Sequence, residues 1–110
     1  SHYKLNNLTA ILDRNRIQND RYTSEVMELE PLPRKWRAFG WRVLEIDGHD
    51  LSAILRATKL AQKSRGRPTI IIAHTIKGKG VSFMENNPDF HGRAPNEEEY
   101  NKAIRELGGT

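Results

Sequence analysis

Three short stretches of this 110-residue chain carry side chains whose types and spacing could do chemistry. The first is Asp13-Arg14-Asn15-Arg16-Ile17-Gln18-Asn19-Asp20. An asparagine side-chain oxygen beside a backbone carbonyl offers two hard donors of the kind magnesium or calcium takes. Two donors do not make a site, so a carboxylate and phosphate oxygens would have to complete the shell. On its spacing alone the run reads more simply as an Asn/Asp-rich turn. The second stretch is Ile76-Lys77-Gly78-Lys79-Gly80. Glycines let the backbone approach an anion closely, and lysines neutralise phosphate charge. The P-loop spacing and its Lys-Ser/Thr end are absent, and a flexible surface turn is the plainer reading of Gly-Lys-Gly alone. The third is Phe90-His91-Gly92, where a loop imidazole could donate to a phosphate or a sugar hydroxyl or could simply be exposed. His49 is assigned to turn and capping geometry and His74 to packing at a strand end, while terminal His2 is given no role. Trp36, Phe39 and Trp41 could form a base-stacking platform, but their spacing better fits a helix face and strand start packed into a core.

Those residues need elements to hold them. Leu8 to Asp13 is short, apolar and followed by polar residues, as a buried strand is. Residues 14–30 are polar and irregular, with turn signals. A short helix is expected after Pro31, with Leu32, Trp36 and Phe39 on one face and Gly40 at its end. Arg42 to Asp47 reads as a second strand. Asp50 can cap the next helix, whose buried stripe would be Leu51, Ile54, Leu55 and Thr58, ending near Gly66. Pro68 to His74 holds Ile70-Ile71-Ile72 without polar alternation, which suits a central parallel strand covered on both faces. The connection from Thr75 to Pro95 is long enough to suggest a binding loop. Asn96 and Glu99 form a capping-box pattern before a last helix with Tyr100, Ala103, Ile104 and Leu107 as its buried stripe and Gly108 after it. The alternation predicts an α/β layer, a partial doubly wound parallel sheet of about three strands with helices. Ligands of such sheets sit at the carboxyl ends of strands, where the first two polar stretches fall. So small a sheet would leave its edges open, and the segment is expected to be part of something larger.

Composition bounds the rest. With 36% hydrophobic and 29% charged residues the chain reads as one soluble globular domain with a modest core. No apolar run approaches the roughly 20 residues needed to cross a bilayer. The start, Ser1-His2-Tyr3-Lys4-Leu5, has no signal-peptide pattern, and the absence of cysteine removes disulfides and thiolate metal sites. These features fit the cytoplasm. The net charge of +4 raises nucleic acid as a partner, with basic residues clustered from Arg34 to Arg42 and from Lys59 to Lys79. Acidic residues are interspersed, and no zinc-finger pattern, aromatic RNA-binding signature or long basic run occurs. A mildly basic surface is usually solvated or faces an anionic cofactor, and no nucleic-acid role is expected.

Taken together, the motifs resemble a known family. The runs Asn7 to Asp20, Lys35-Trp36-Arg37-Ala38-Phe39-Gly40-Trp41, Glu45-Ile46-Asp47-Gly48-His49-Asp50, His74 through Glu85 and Pro88 through Pro95 are, in order, similar to the N-terminal subunits of split bacterial transketolases. The resemblance implies thiamine diphosphate with Mg2+ (or Ca2+) and transfer of a two-carbon ketol unit between sugar phosphates. It implies that residues 1–110 form a partial, C-terminal portion of the thiamine-diphosphate-binding domain, with loop 75–95 over the cofactor site. Asn15 and Ile17 match the family's metal-holding asparagine and backbone carbonyl, and Asn19 falls where the thiazolium ring is lined. Lys77 and His91 match positions facing the diphosphate and the donor sugar, making His91 the candidate catalytic residue. The family's Gly-Asp-Gly metal motif does not occur here, nor does the glutamate that activates the aminopyrimidine, which belongs to a second domain. The expected partners are therefore the remaining transketolase domains or a C-terminal subunit, in a homo- or hetero-oligomer, and the chain alone is expected to be inactive. Deoxyxylulose-phosphate synthases and two-oxo-acid dehydrogenase α chains share the cofactor and similar loops. A basic non-enzymatic binding module and a non-functional, aggregating fragment are the readings of other classes.

Overall fold

Ile70, Ile71 and Ile72 are each 1% exposed and form the middle of the main sheet. The computed structural model describes residues 1–109. In chain order the elements are β1 (Thr9–Arg14), β2 (Ile17–Gln18), β3 (Arg21–Tyr22), α1 (Thr23–Val26), α2 (Leu32–Ala38), β4 (Arg42–Asp47), α3 (Leu51–Gln62), β5 (Thr69–His74) and α4 (Glu97–Glu106). A 3-10 turn, Pro88–Phe90, precedes α4. The chain divides into two units, unit 1 (Ser1–Arg14 with Leu29–Thr75) and unit 2 (Asn15–Glu28 with residues 76–109).

Unit 1 is the α/β layer. Its sheet has the order β1-β5-β4, all parallel, with Ile11 and Leu44 both in register with Ile71. Because successive strand side chains face opposite sides, Ile70 and Ile72 pack with Leu32, Trp36 and Trp41 on one face. Ile71 meets Ala57 and Ala61 of α3 on the other. β5 is thus the doubly covered central strand expected from its unbroken apolar run. The Trp36 and Trp41 rings meet edge to face with centroids 5.0 Å apart. Asp50 caps α3 through a 2.8 Å bond from the Ser52 N–H, and Asp47 accepts the His49 N–H at 2.8 Å, giving His49 the turn role expected of it. Buried Arg14 pairs with Glu30 at 3.1 Å, which meets the need of a buried charge for a partner.

Four expectations within unit 1 are corrected. β1 lies one residue later than expected and is a half-covered edge, with Ala10 and Leu12 inward and Ile11 exposed. Phe39 is 76% exposed, because α2 ends at Ala38 and the helical spacing that would carry Phe39 onto the Trp36 face stops there. The side of α3 turned to the sheet is Ile54, Ala57, Thr58 and Ala61, while Leu51 and Leu55 are exposed. At about 100° per residue those two leucines point some 70° and 110° away from the centre of that stripe. His74 is exposed rather than packed, its Nε2 3.5 Å from Glu45 Oε2.

In unit 2 the capping box is formed as expected: Asn96 Oδ1 accepts the Glu99 N–H and Glu99 Oε2 accepts the Asn96 N–H, both at 2.9 Å. Only half of the expected α4 stripe is covered. Ala103 is buried and Ile104 partly so, but Tyr100 and Leu107 are exposed, since Val81 and Ala103 are the only buried hydrophobic residues among those described in this unit. Residues 14–30, expected to be irregular, contain the antiparallel β2–β3 hairpin and α1. Strands of two residues carry too little periodicity to be read. Among the described residues no helix is long and apolar enough to cross a membrane.

Candidate functional site

All five residues singled out for cofactor chemistry lie in unit 2. Asn15 follows directly on β1. Its Oδ1 accepts the Ile17 N–H at 2.9 Å, closing a side-chain turn in which Arg16 takes φ 65°. That left-handed backbone costs an L-residue about 1–2 kcal/mol, so neighbouring bonds must hold it. The Arg16 carbonyl accepts the Thr23 N–H at 2.8 Å, and Ile17 and Gln18 pair with Tyr22 and Arg21 across the two-residue loop Asn19-Asp20. Asn19 sits at φ 54°, a conformation asparagine enters more readily than most residues. The result is a rigid turn that holds the Asn15 amide oxygen and the Ile17 carbonyl two residues apart. One lone pair of Asn15 Oδ1 takes the Ile17 N–H, and the oxygen can still coordinate through the other.

The Lys77 loop is held as tightly. The Asn86 N–H donates to the Lys77 carbonyl at 3.0 Å. Gly78 lies at φ 74° where a Cβ would stand 2.6 Å from the Met84 carbonyl oxygen, so only glycine fits this approach. Glu85 Oε1 accepts the Gly80 N–H at 3.0 Å and lies 3.5 Å from Lys79 Nζ. The two lysines of Lys77-Gly78-Lys79 therefore differ: Lys79 is tied into its own loop, whereas no described residue pairs with the half-buried Lys77 ammonium. The Tyr22 hydroxyl donates to the Asn86 carbonyl at 3.0 Å and joins the hairpin to this loop.

His91 follows the 3-10 turn, its N–H donating to the Pro88 carbonyl at 2.9 Å. The turn is fixed by Asn87, which accepts the Asp89 N–H at 3.0 Å and donates to the Phe83 carbonyl at 3.2 Å. Arg93 stacks over Phe90 at 4.1 Å and grips Glu99 with a two-pronged bond of 3.0 and 2.9 Å. The Arg93 side chain and then the Asn96 N–H hold the Glu99 carboxyl below the usual glutamate range, and the same pairing raises Arg93. Glu106 is lowered in turn by the Ser82 N–H and hydroxyl. The His91 imidazole is exposed and has no hydrogen bond to any described residue.

Asn15 and Ile17 at the start of the hairpin and Lys77 in its loop are thus linked by way of Tyr22 and Asn86, Asn19 sits in the hairpin's own loop, and His91 shares their unit without a bond to them. Among the described residues no group of three or more His, Cys, Asp or Glu side chains could hold a metal. The Asn15 amide oxygen and the Ile17 carbonyl are hard donors of the kind a Mg2+ shell takes, and such a shell would require carboxylate and phosphate oxygens from elsewhere. Tyr22 and Asn86 went unnoticed in the sequence, because their importance depends on a hairpin that only the Asn19-Asp20 turn signal hinted at.

The whole chain, residues 1–110, matches the family model described as transketolase, thiamine diphosphate binding domain. It is 46% identical over 105 residues to an apulose-4-phosphate transketolase subunit of Phocaeicola vulgatus, covering 96% of this chain and 37% of that protein. It is 45% identical over 104 residues to the 6-deoxy-6-sulfo-D-fructose transketolase subunit SqwG of a Clostridium species, covering 94% and 38%. The chain therefore spans little more than a third of these relatives' length. Among solved structures it resembles transketolase from Campylobacter jejuni, with a TM-score of 0.86 and 34% identity over 98% of this chain and 17% of that one.

Proposed function

The chain belongs to the transketolase thiamine-diphosphate-binding domain family, and we propose that it supplies one wall of the cofactor site of a transketolase that moves a two-carbon ketol group between sugar phosphates. In this reading Asn15 Oδ1 and the Ile17 carbonyl are two ligands of the Mg2+ (or Ca2+) that grips the diphosphate. Lys77 neutralises diphosphate charge, Asn19 lines the thiazolium ring, and His91 in loop 75–95 donates to the donor sugar. When bound, thiamine diphosphate supplies the electron sink for carbon–carbon cleavage. The observation that carries the proposal is the gathering of the oxygen-donor turn and an uncommitted lysine into one unit by Tyr22 and Asn86.

The missing metal carboxylate and the glutamate acting on the aminopyrimidine would come from the remaining transketolase domains or a partner chain, in a cytoplasmic dimer or hetero-oligomer. The relatives named as transketolase subunits support that assembly. By this reading residues 1–110 are a partial domain, inactive alone. Calorimetry with thiamine diphosphate and Mg2+, with and without the complementary chain of a split transketolase, tests it. Binding that strengthens when the complement is added is the expected result. Absence of binding in both arms, or turnover of a ketose donor and an aldose acceptor by the 110-residue chain alone, would contradict it.

A further inference from the structure

We propose that Tyr22 is a positioning residue for the cofactor, a strut that keeps the oxygen-donor turn and Lys77 at a fixed separation so that both engage one metal–diphosphate unit. This rests on the function proposed above. Ile17 pairs with Tyr22 across the hairpin, so the phenol is carried by the strand opposite the one that bears the donor carbonyl. Its hydroxyl donates to the Asn86 carbonyl at 3.0 Å, and the Asn86 N–H donates to the Lys77 carbonyl at 3.0 Å. Ile17 and Tyr22 face each other as register partners in a hairpin closed by the Thr23 N–H bond to the Arg16 carbonyl, and directional bonds then run from the Tyr22 hydroxyl through Asn86 to Lys77. Asn86 can serve as the relay because it sits at φ 53°, the left-handed conformation that asparagine and glycine tolerate and β-branched residues do not.

The geometry also separates Tyr22 from an ordinary packing residue. The side chain is 40% exposed, and Tyr22→Phe keeps whatever the ring covers while removing only the hydroxyl that reaches Asn86. Fixing two ligand groups before binding removes an ordering cost that the ligand would otherwise meet. Loss of a single hydrogen bond of this kind is worth about three- to tenfold in a binding constant.

The test uses Tyr22→Phe in the 110-residue chain, alone and with the complementary chain of a split transketolase, with 15N NMR titrations of thiamine diphosphate in saturating Mg2+, amide exchange without ligand, and thermal unfolding. In the wild type, signals of Asn15, Ile17 and Lys77 should move on one isotherm. Tyr22→Phe should weaken binding about three- to tenfold, speed exchange of the Asn86 amide by a similar factor, and leave the melting midpoint in place. A midpoint that falls in step with affinity would mean a merely structural role and overturn the proposal. Asn86→Gly keeps both the acceptor and the left-handed backbone and should bind like wild type, whereas Asn86→Val should reproduce the Tyr22→Phe defect. Wild-type affinity and unchanged Asn86 exchange in Tyr22→Phe would overturn the role of Tyr22 alone. A wild-type chain that shows no shift with the ligand, alone or with the complementary chain added, would overturn the cofactor reading and this proposal with it.

Discussion

Unit 1 carries three consecutive isoleucines sealed between α2 and α3, whereas unit 2 buries only Val81 and Ala103 among its described hydrophobic residues. What unit 2 has instead is a set of side chains bonded to backbone: Asn15 to Ile17, Tyr22 to Asn86, Glu85 to Gly80, Asn87 to Asp89, and Asn96 to Glu99. The two kinds of support do different work. Apolar burial is non-directional and fills space, so it fixes that a sheet forms without fixing an oxygen atom to a fraction of an ångström. Hydrogen bonds are directional and set where a carbonyl or amide oxygen stands. Every residue proposed to meet the cofactor lies in the unit held by the second kind.

The contrast can be broken at either end. Ile71→Ala removes the side chain that Ala57 and Ala61 pack against and should cost about 2–5 kcal/mol of global stability, read from urea unfolding. A loss below about 1 kcal/mol would mean that the Ile71 layer is not what holds unit 1. Gly78→Ala, with its Cβ forced onto the Met84 carbonyl at φ 74°, should cost about 1–3 kcal/mol. That cost should be local: amides of residues 77–86 exchange faster, that of Asn86 among the first, while those of β5 keep their protection. Equal loss of protection in β5 would erase the distinction between the units.

The same contrast explains what could be read from the sequence. Unbroken Ile70-Ile71-Ile72 announced the central strand because burial on both faces leaves no polar position. The Asp50 cap and the Asn96–Glu99 box were legible because both are local chemistry over two or three residues. The helix faces were less so. Leu51, Leu55, Tyr100 and Leu107 are apolar and correctly spaced, yet they are exposed, because spacing shows that a stripe exists and not how far it is covered. Phe39 escaped for a boundary reason, one residue past the end of α2. The site was legible as isolated motifs, each weak, and their union came from resemblance to a family. The physical link, Tyr22 to Asn86, spans 64 positions and leaves no mark in local sequence.

Asn96→Ala sharpens the comparison at a smaller scale. Removing Oδ1 leaves the Glu99 N–H without its cap, a change worth about 1 kcal/mol at a helix N-terminus. The expected result is faster amide exchange in the first turn of α4 and an unchanged unfolding midpoint for β5. Since Glu99 also receives the Asn96 N–H, adding Glu99→Ala should cost less in the Asn96→Ala background than in wild type. Full additivity of the two substitutions would show that the box does not act as a pair.

Acid should produce the smallest and most localised effect. Glu99 is held below its ordinary value of 4.5 chiefly by Arg93 and then by the Asn96 N–H, and Glu106 by the Ser82 N–H at 2.5 Å and its hydroxyl at 2.7 Å. With the folded-state value depressed, the unfolded chain binds more protons between the two values, so stability falls as pH falls. The contribution is fully present above the unfolded value near 4.5 and is lost as pH drops through the lower folded values. Glu106 is exposed and Glu99 partly so, and solvent screening keeps the effect modest. Amide exchange followed from about pH 6 to about pH 3 should therefore show Ser82 and the first turn of α4 opening while β5 stays protected. Glu106→Gln should remove most of the pH dependence at Ser82 and leave that of the α4 N-terminus in place. Simultaneous opening of Ser82, α4 and β5 would instead mean that polar clasps and apolar core fail together, and that the two units do not differ in what holds them.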